Sequence, residues 1–357
     1  MKTEIKDTFL PLVRLGIGHQ SSIPLSVFDW EALAGLAARQ GLSAILVDGV
    51  ERLPENHRPP KPVLLQWIGE TIQVYEYRYE LYRRAIAELA AFYNRHGFKM
   101  MILKGYACSL DWPKPEHRPC GDIDTWIFGK QKEADFLIKR DLGITIDEGH
   151  HIHTVFEWQG FTVENHYDLV NTYRHKKNVE LNNLLKKLAK DDSNTISIDG
   201  HNVYCASVQF NALFLISHAL AHFAASEINL RQVLDWAFFV NRYHREIDWN
   251  WLIMQVERFH MKDFFDNVNA ICVEDLGFNK DIFHFSLISP ICKERVLDDI
   301  IFPKYTGGAP KSFLKRVIWK WQRWKGNSWK RALCYQESNW SSLYSSFISH
   351  LAKPSTI

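Results

Sequence analysis

The sequence predicts an α+β protein in which helical regions lie on either side of a strand-rich core. Apolar residues recur at helical spacing from Leu25 to about Arg95. From Phe98 to about Leu169 the pattern changes to alternation typical of strands, and beyond Lys176 it is mostly helical again. The predicted segments are an N-terminal helical region (1–96), a core (97–175), a C-terminal helical domain (176–303) and a basic, Trp-rich tail (304–357).

Composition indicates a soluble globular protein. The chain has 357 residues, of which 46% are hydrophobic and 24% charged, and its formal net charge of +2 does not by itself indicate a nucleic-acid partner. Its 6 cysteines include no CxxC pair, which favours reduced thiols over a zinc ribbon or a disulfide framework. Neither an export signal nor a membrane-spanning stretch is recognisable, so a cytoplasmic location is expected.

The N-terminal region is predicted to contain two helices. Ser26 precedes the first, which Gly41 ends, and a Pro-rich break separates it from a longer helix over residues 63–96. The aromatic and apolar stripe of the longer helix is typical of core packing rather than of a ligand pocket.

The core is organised around the stretch 98–128, in which two strands carry charged residues at their ends. A strand over residues 98–103 leads into a turn at Lys104 and Gly105, and a Pro-rich loop then leads to a second strand that opens with Asp122 and Asp124. Because strand side chains alternate, the two aspartates share one face. Two carboxylates held in this way suit Mg²⁺ or Mn²⁺.

A third carboxylate is expected near the aspartate pair. Residues 152–169 predict two alternating strands joined near Gln159 and Gly160. Glu164, His166 and Asp168 lie on one face of the second strand, so Glu164 can face the aspartates. At the turn between the first strand and its helix, a lysine supplies positive charge and a glycine allows close backbone approach, as a phosphate site requires.

These motifs resemble a known family. The segment ILKGYACSLDWPKPEHRPCGDIDTWIF resembles the uncharacterised bacterial nucleotidyltransferase family of the polymerase-beta-like superfamily, as do Trp30 with LAGLA, VENHYDL, HALAH and LRQVLDWA. The resemblance runs from about Trp30 to about Phe239, and it depends on the ordered set of motifs.

The resemblance implies a polymerase-beta-like nucleotidyltransferase core, a small mixed sheet flanked by helices. It assigns Asp122 and Asp124 as metal ligands, Glu164 as the third acidic residue and Gly105 as the glycine of the superfamily turn. A nucleoside triphosphate would be the substrate and Mg²⁺ or Mn²⁺ the cofactor, with two-metal phosphoryl transfer as the expected mechanism. A structural pair of aspartates at the start of a strand, or an inactive site, is the alternative.

Other residues are candidates for nucleotide binding. Lys104 and Arg118 can contact phosphates or lie solvated at the surface, and His166 can orient a carboxylate or the acceptor or be a structural histidine. His150, His151 and His153 suggest zinc, but a hairpin edge is favoured because no cysteine accompanies them.

The C-terminal helices add three candidates. His218 and His222 share a helix face but lack the glutamate of a zinc protease motif, and Arg231 follows on the next helix. All three are predicted either to line the nucleotide cleft or to make polar core contacts.

The tail combines bases with tryptophans and has no acidic residue before Glu337. Residues 311–331 are expected either to contact an anionic membrane or RNA, or to pack back on the protein. Contact with an anionic membrane would place the protein at the inner face of that membrane.

The sequence therefore predicts a metal-dependent nucleotidyltransferase that acts on an unidentified acceptor, which can be a protein, an RNA or a small molecule. The alternative is an inactive module of the same fold that docks to anionic membrane or RNA through the tail.

Overall fold

The computed structural model describes residues 2–20, 28–173, 175, 177–191, 193–305, 310 and 312–336. The described residues form two compact units, a helical unit within 1–69 and 216–339 and a sheet unit within 70–215. The sheet unit thus takes in residues on both sides of the predicted core, while the division of the chain into four segments stays a prediction.

The strands of the sheet unit form one mixed sheet. They are β1 (Met101–Ile102), β2 (Ile123–Trp126), β3 (His153–Trp158), β4 (Phe161–His166), β5 (Ser193–Ile198) and β6 (His201–Ala206). The spatial order is β3-β4-β2-β1-β6-β5. The pairs β2–β4 and β1–β6 are parallel and the other three are antiparallel. The predicted α+β class with a small mixed sheet between helical segments is confirmed.

The α-helices of the described residues are α1 (Lys2–Gly16), α2 (Trp30–Gln40), α3 (Ser43–Glu51), α4 (Lys61–Glu70), α5 (Tyr77–Arg95), α6 (Gly105–Ser109), α7 (Gln131–Leu142), α8 (Asn178–Asp191), α9 (Val208–Ala225), α10 (Leu230–Tyr243), α11 (Trp249–Arg258), α12 (Lys262–Ala270), α13 (Pro290–Ile301), α14 (Phe313–Gly326) and α15 (Ser328–Tyr335). A π-helical segment, Thr71–Glu76, joins α4 to α5, which accounts for the long helix predicted over 63–96.

Two predicted boundaries differ in detail. The first strand is confined to Met101–Ile102, whereas 98–103 was predicted. Helix α2 is capped by Asp29, whose carboxylate accepts from the backbone amide of Ala32 at 3.0 Å. The predicted start after Ser26 lies outside the described residues. Gly41 ends the helix as predicted, with a φ of 67° that glycine adopts without steric cost.

Two-residue turns fix the register of both hairpins. Gln159 and Gly160 connect β3 to β4 with φ values of 50° and 79°, a combination that matches the twist of antiparallel strands. This turn aligns Trp158 with Phe161 and, further along, His153 with His166. The predicted hairpin at Gln159 and Gly160 is confirmed, and a second two-residue turn, at residues 199 and 200, connects β5 to β6.

A buried polar network fixes α7 against one face of the sheet. The Asp135 carboxylate accepts from the Asn165 side-chain amide at 2.7 Å and from the Thr154 hydroxyl at 2.8 Å, and it also accepts from Gln131. The Thr125 hydroxyl donates to the Asn165 side-chain oxygen at 3.3 Å, so β2, β3 and β4 are linked through one carboxylate. These positions alternate with the charged positions of β2 and β4, which therefore face the other side of the sheet.

One helix meets the length and composition of a membrane span. Helix α9 has a mean hydropathy of 1.3 over its 18 residues, of which 56% are buried. A buried core helix of a soluble protein has the same properties. No other helix among the described residues meets both criteria.

The described part of the tail is divided between buried and exposed residues. The ring centroids of Trp329 in α15 and Phe223 are 5.8 Å apart, and the Arg295 guanidinium carbon lies 4.0 Å from the Trp329 ring centroid. Lys330 donates to the Ser226 carbonyl at 2.9 Å and forms an ion pair with Asp299. On α14, by contrast, Trp321 is 56% exposed. Contact with an anionic membrane stays a prediction, and it concerns α14, since α15 is packed within the helical unit.

We predict that Asp135→Ala lowers the free energy of unfolding by about 3 kcal/mol, because the change leaves buried donors without an acceptor. Urea unfolding followed by circular dichroism measures the difference. Lys132→Ala, at an exposed position of the same helix, is the control and should change stability by less than about 0.5 kcal/mol. Equal losses in the two variants would show that the network does not hold α7 in place.

Candidate functional site

The turn between β1 and α6 adopts a rare backbone conformation. Lys104 has φ 40° and ψ −139°, a region that L-residues seldom adopt, and Gly105 has φ 38°. A Cβ at Gly105 would lie 2.7 Å from the Tyr82 hydroxyl, which donates to the Asp122 carbonyl at 2.7 Å. The glycine therefore makes room for the hydrogen bond that holds the start of β2 in place.

Three carboxylates converge beside this turn. Parallel pairing places Asp124 of β2 directly beside Glu164 of β4, so both side chains share one face of the sheet. Asp122 precedes β2 by one residue and lies on the same side. Burial raises the pKa of Asp122, and the like charges of Glu164 and Asp124 raise it further. The structure thus brings together the three acidic residues that the sequence predicted to converge.

Asp124 is held by two basic groups. Its Oδ1 lies 2.7 Å from Lys104 Nζ and 3.0 Å from His166 Nε2, and its side chain is 8% exposed. Burial alone would raise the pKa of Asp124, but Lys104 and His166 outweigh burial and hold it well below its usual range. Lys104 is therefore an ion-pair partner of the carboxylate cluster, not a solvated surface lysine.

His166 lies between the two carboxylates of the neighbouring strands. Its Nε2 is 3.6 Å from Glu164 Oε2 as well as 3.0 Å from Asp124, and its Nδ1 lies 3.1 Å from the Asp168 carbonyl oxygen. Burial alone would lower the pKa of His166, but its hydrogen bonds to Asp124 and Glu164 raise it. His166 thus lies on the same face of β4 as Glu164, as the sequence predicted.

A histidine from β3 completes the cluster. His153 Nδ1 lies 3.3 Å from Glu164 Oε2, and the rings of His153 and His166 have centroids 5.1 Å apart. Burial lowers the pKa of His153 to about 4. Ligand atoms of His153, Glu164 and His166 lie within 4.8 Å of one another, a spacing that can hold a metal ion.

From the sequence, a hairpin edge was favoured over zinc at His153, although a signal for its place beside Glu164 was available. A two-residue turn at Gln159 and Gly160 necessarily pairs His153 with His166. Counting back from the turn would have placed both histidines on the face of Glu164.

Asp168 does not join the cluster, although it was predicted to share the face of Glu164. Strand β4 ends at His166. Beyond that point the Asp168 carboxylate accepts from Asn182 and Lys186, both on α8, at 2.6 Å. It therefore fixes α8 instead of facing the aspartates.

Four further candidates for nucleotide binding were named from the sequence. Arg118 is only 6% exposed and donates to the Pro119 carbonyl at 3.2 Å, so it is a buried residue. His218 and His222 of α9 have ring centroids 4.4 Å apart, which agrees with a shared helix face, and Arg231 lies on α10. These three residues belong to the helical unit, and the carboxylate cluster consists of residues from the sheet unit. Their predicted role in nucleotide binding stays a prediction.

Comparison with known families decides the affiliation. The family described as uncharacterised nucleotidyltransferases matches residues 26–277, well over half of the chain. The chain belongs to this nucleotidyltransferase family. The matched region includes every residue of the cluster described above, so the family assignment and the geometry concern the same part of the protein.

Other comparisons of this nucleotidyltransferase-family protein add little. A solved structure of an antigenic nucleotidyltransferase-like protein from Paracoccidioides brasiliensis is 13% identical, and the match covers 49% of this chain and 87% of that chain. Its TM-score is 0.33, too low to support an argument. No curated protein matches the chain.

Asp124→Asn tests the buried charge cluster through its pH dependence. The folded pKa of Asp124 is lowered, so its contribution to stability is present above the unfolded value of about 3.9 and is lost as pH falls. The folded pKa of His166 is raised, so its contribution is present below about 6.5 and is lost as pH rises through the folded value. We expect the free energy of unfolding of the variant to be about 3 kcal/mol lower than that of wild type near neutral pH. The difference should be smaller at lower and at higher pH.

Urea unfolding over a series of pH values, with EDTA present, measures this difference. Asp141→Asn is the control, because Asp141 pairs with Arg140 and His96 near the surface, where ion pairs contribute little. A difference for Asp124→Asn that stays constant across the pH series would contradict the buried cluster.

Proposed function

We propose that this protein is a metal-dependent nucleotidyltransferase that moves a nucleoside monophosphate from a nucleoside triphosphate to an acceptor. The observation that carries the proposal is the convergence of Asp122, Asp124 and Glu164 on one face of the sheet, beside the Lys104 turn. Membership of the nucleotidyltransferase family supports it.

The residues present fit a hard divalent cation such as Mg²⁺ or Mn²⁺. Among the described residues, the Asp122 carboxylate makes no hydrogen bond or ion pair, and its pKa is raised in part by the neighbouring carboxylates. Oxygen donors that repel one another are stabilised by a divalent ion between them. Asp122, Asp124 and Glu164 would hold it. When bound, the ion supplies positive charge that activates the acceptor oxygen and neutralises the leaving pyrophosphate.

The protein's own groups position the reacting atoms. His166 hydrogen-bonds Asp124 and fixes the orientation of that carboxylate, while Lys104 supplies a positive charge at the edge of the cluster. In the transfer, the acceptor oxygen forms a bond to the α-phosphorus as the bond to pyrophosphate breaks. Glu164, whose side chain is 22% exposed, takes the proton that the acceptor releases.

The acceptor is proposed only by class. A protein side chain, an RNA end or a small molecule each offers the hydroxyl that this reaction needs. Purified protein incubated with cell extract and labelled ATP, GTP, CTP or UTP shows which nucleotide is used and which molecule is modified.

We predict that Asp122→Asn and Asp124→Asn lower Mg²⁺-dependent transfer by about 100-fold or more, since loss of a ligand removes several kcal/mol of charge stabilisation. The rate of label incorporation measures the effect. Glu133→Ala removes an exposed carboxylate of α7 in the same unit and should leave the rate unchanged. Transfer at the wild-type rate in both aspartate variants would refute the proposal, and calorimetry with nucleoside triphosphate and Mg²⁺ would then show whether the fold binds nucleotide without catalysis.

A further inference from the structure

We propose that His153, Glu164 and His166 form a second metal site, which takes a first-row transition ion such as Zn²⁺ and not Mg²⁺. The site is formed by the β3–β4 hairpin alone, because all three residues lie on those two strands.

The separations of the donor atoms match a small coordination sphere. Zinc lies about 2.0–2.1 Å from nitrogen and oxygen ligands, so two ligands of a tetrahedral site are about 3.4 Å apart. Glu164 Oε2 is 3.3 Å from His153 Nδ1 and 3.6 Å from His166 Nε2. All three ligand atoms lie within 4.8 Å of one another, so small side-chain rotations bring them onto one ion.

His166 presents the correct nitrogen. Its Nδ1 faces the Asp168 carbonyl, which can only accept a hydrogen bond, so the proton of a neutral ring lies on Nδ1. Nε2 faces oxygens of Asp124 and Glu164, which are also acceptors. Nε2 is therefore the ring nitrogen placed to bind a metal ion together with Glu164. A histidine whose other nitrogen donates to a carbonyl is the usual arrangement of a zinc ligand.

His153 supplies the independent observation. Its Nδ1 is buried and has no hydrogen-bond partner among the described residues, although Glu164 Oε2 is 3.3 Å away. A buried polar atom without a partner costs stability, and such atoms are rare in proteins. A metal ion shared with Glu164 and His166 would satisfy it.

The donor set determines the class of metal. Two imidazole nitrogens with one carboxylate favour zinc and its neighbours, whereas Mg²⁺ prefers oxygen ligands alone. Three protein ligands leave a fourth position for water or for another ligand, which is typical of zinc sites that bind exchangeable groups. Asp124 Oδ1 lies 3.0 Å from His166 Nε2 and is a further carboxylate oxygen next to this donor set.

This inference does not depend on nucleotidyl transfer. Glu164 belongs to both proposed sets, but the two histidines belong only to the second as ligands. Metal titration of the protein without nucleotide tests the histidine site alone.

Co²⁺ is the probe, because a tetrahedral Co²⁺ site absorbs strongly in the visible region and an octahedral one only weakly. We expect metal-free wild-type protein to bind one Co²⁺ per chain with tetrahedral bands that one equivalent of Zn²⁺ removes and excess Mg²⁺ does not. Weak octahedral absorption alone, or bands removed by Mg²⁺, would overturn the proposal.

Variants assign the ligands. His153→Ala, Glu164→Gln and His166→Ala should each lower the affinity for Zn²⁺ by about 100-fold or more, as measured by calorimetry. Loss of a residue that only hydrogen-bonds a metal ligand already lowers metal affinity by about 10–100-fold. His201→Ala, at an exposed histidine of the same unit, should bind as wild type, and Asp122→Asn should retain the Co²⁺ bands. Near-UV circular dichroism verifies folding, and if buried His166→Ala fails to fold, the other two ligand variants decide.

The outcomes separate the two proposals. Tetrahedral bands in a protein without transfer activity support the histidine site and count against the enzyme. If the protein shows transfer activity and His153→Ala leaves its Zn²⁺ affinity unchanged, the proposal of a second metal site is refuted. The proposed function is then unaffected.

Discussion

Parallel pairing of β2 with β4 sets two carboxylates side by side, and the rest of the sheet unit offsets their repulsion. Asp124 and Glu164 are aligned in this pairing, and like charges at the distance of adjacent strands destabilise a sheet. Lys104 reaches Asp124 from the end of β1, and His166 contacts both carboxylates from β4 itself. Lys104, which adopts a rare backbone conformation, thus places its ammonium group against a buried carboxylate.

The two faces of β2 and β4 have separate roles. On one face the acidic cluster faces the turn after β1, and on the other Asp135 connects Thr154 and Asn165 to α7. Because neighbouring residues of a strand face opposite sides, each charged position lies next to an anchoring one. The anchors hold the strands in register, and the register holds Asp124 beside Glu164. A cluster of like charges needs such support, since its own interactions favour separation.

Because His153 lies next to Glu164, the cluster contains both oxygen and nitrogen ligand atoms. Oxygen ligands alone suit Mg²⁺, whereas two nitrogens with one oxygen suit Zn²⁺. Glu164 belongs to both sets of ligand atoms. The position of one carboxylate between two kinds of donor follows from the hairpin, because the same turn that pairs β3 with β4 brings His153 to His166.

Local features were determined by the sequence itself: the shared face of Asp122 and Asp124, the turn at Gln159 and Gly160, and the end of α2 at Gly41. These depend on residues close in the chain, through strand alternation and through backbone angles that few residues adopt. Only the tertiary structure decided that parallel pairing aligns Glu164 of β4 with Asp124 of β2, and that Lys104 forms an ion pair with Asp124. Parallel neighbours are joined by long connections, here including α7 and β3, so no local pattern specifies which strand pairs with which. The ion pair of this lysine depends on a carboxylate that only the assembled sheet brings within reach.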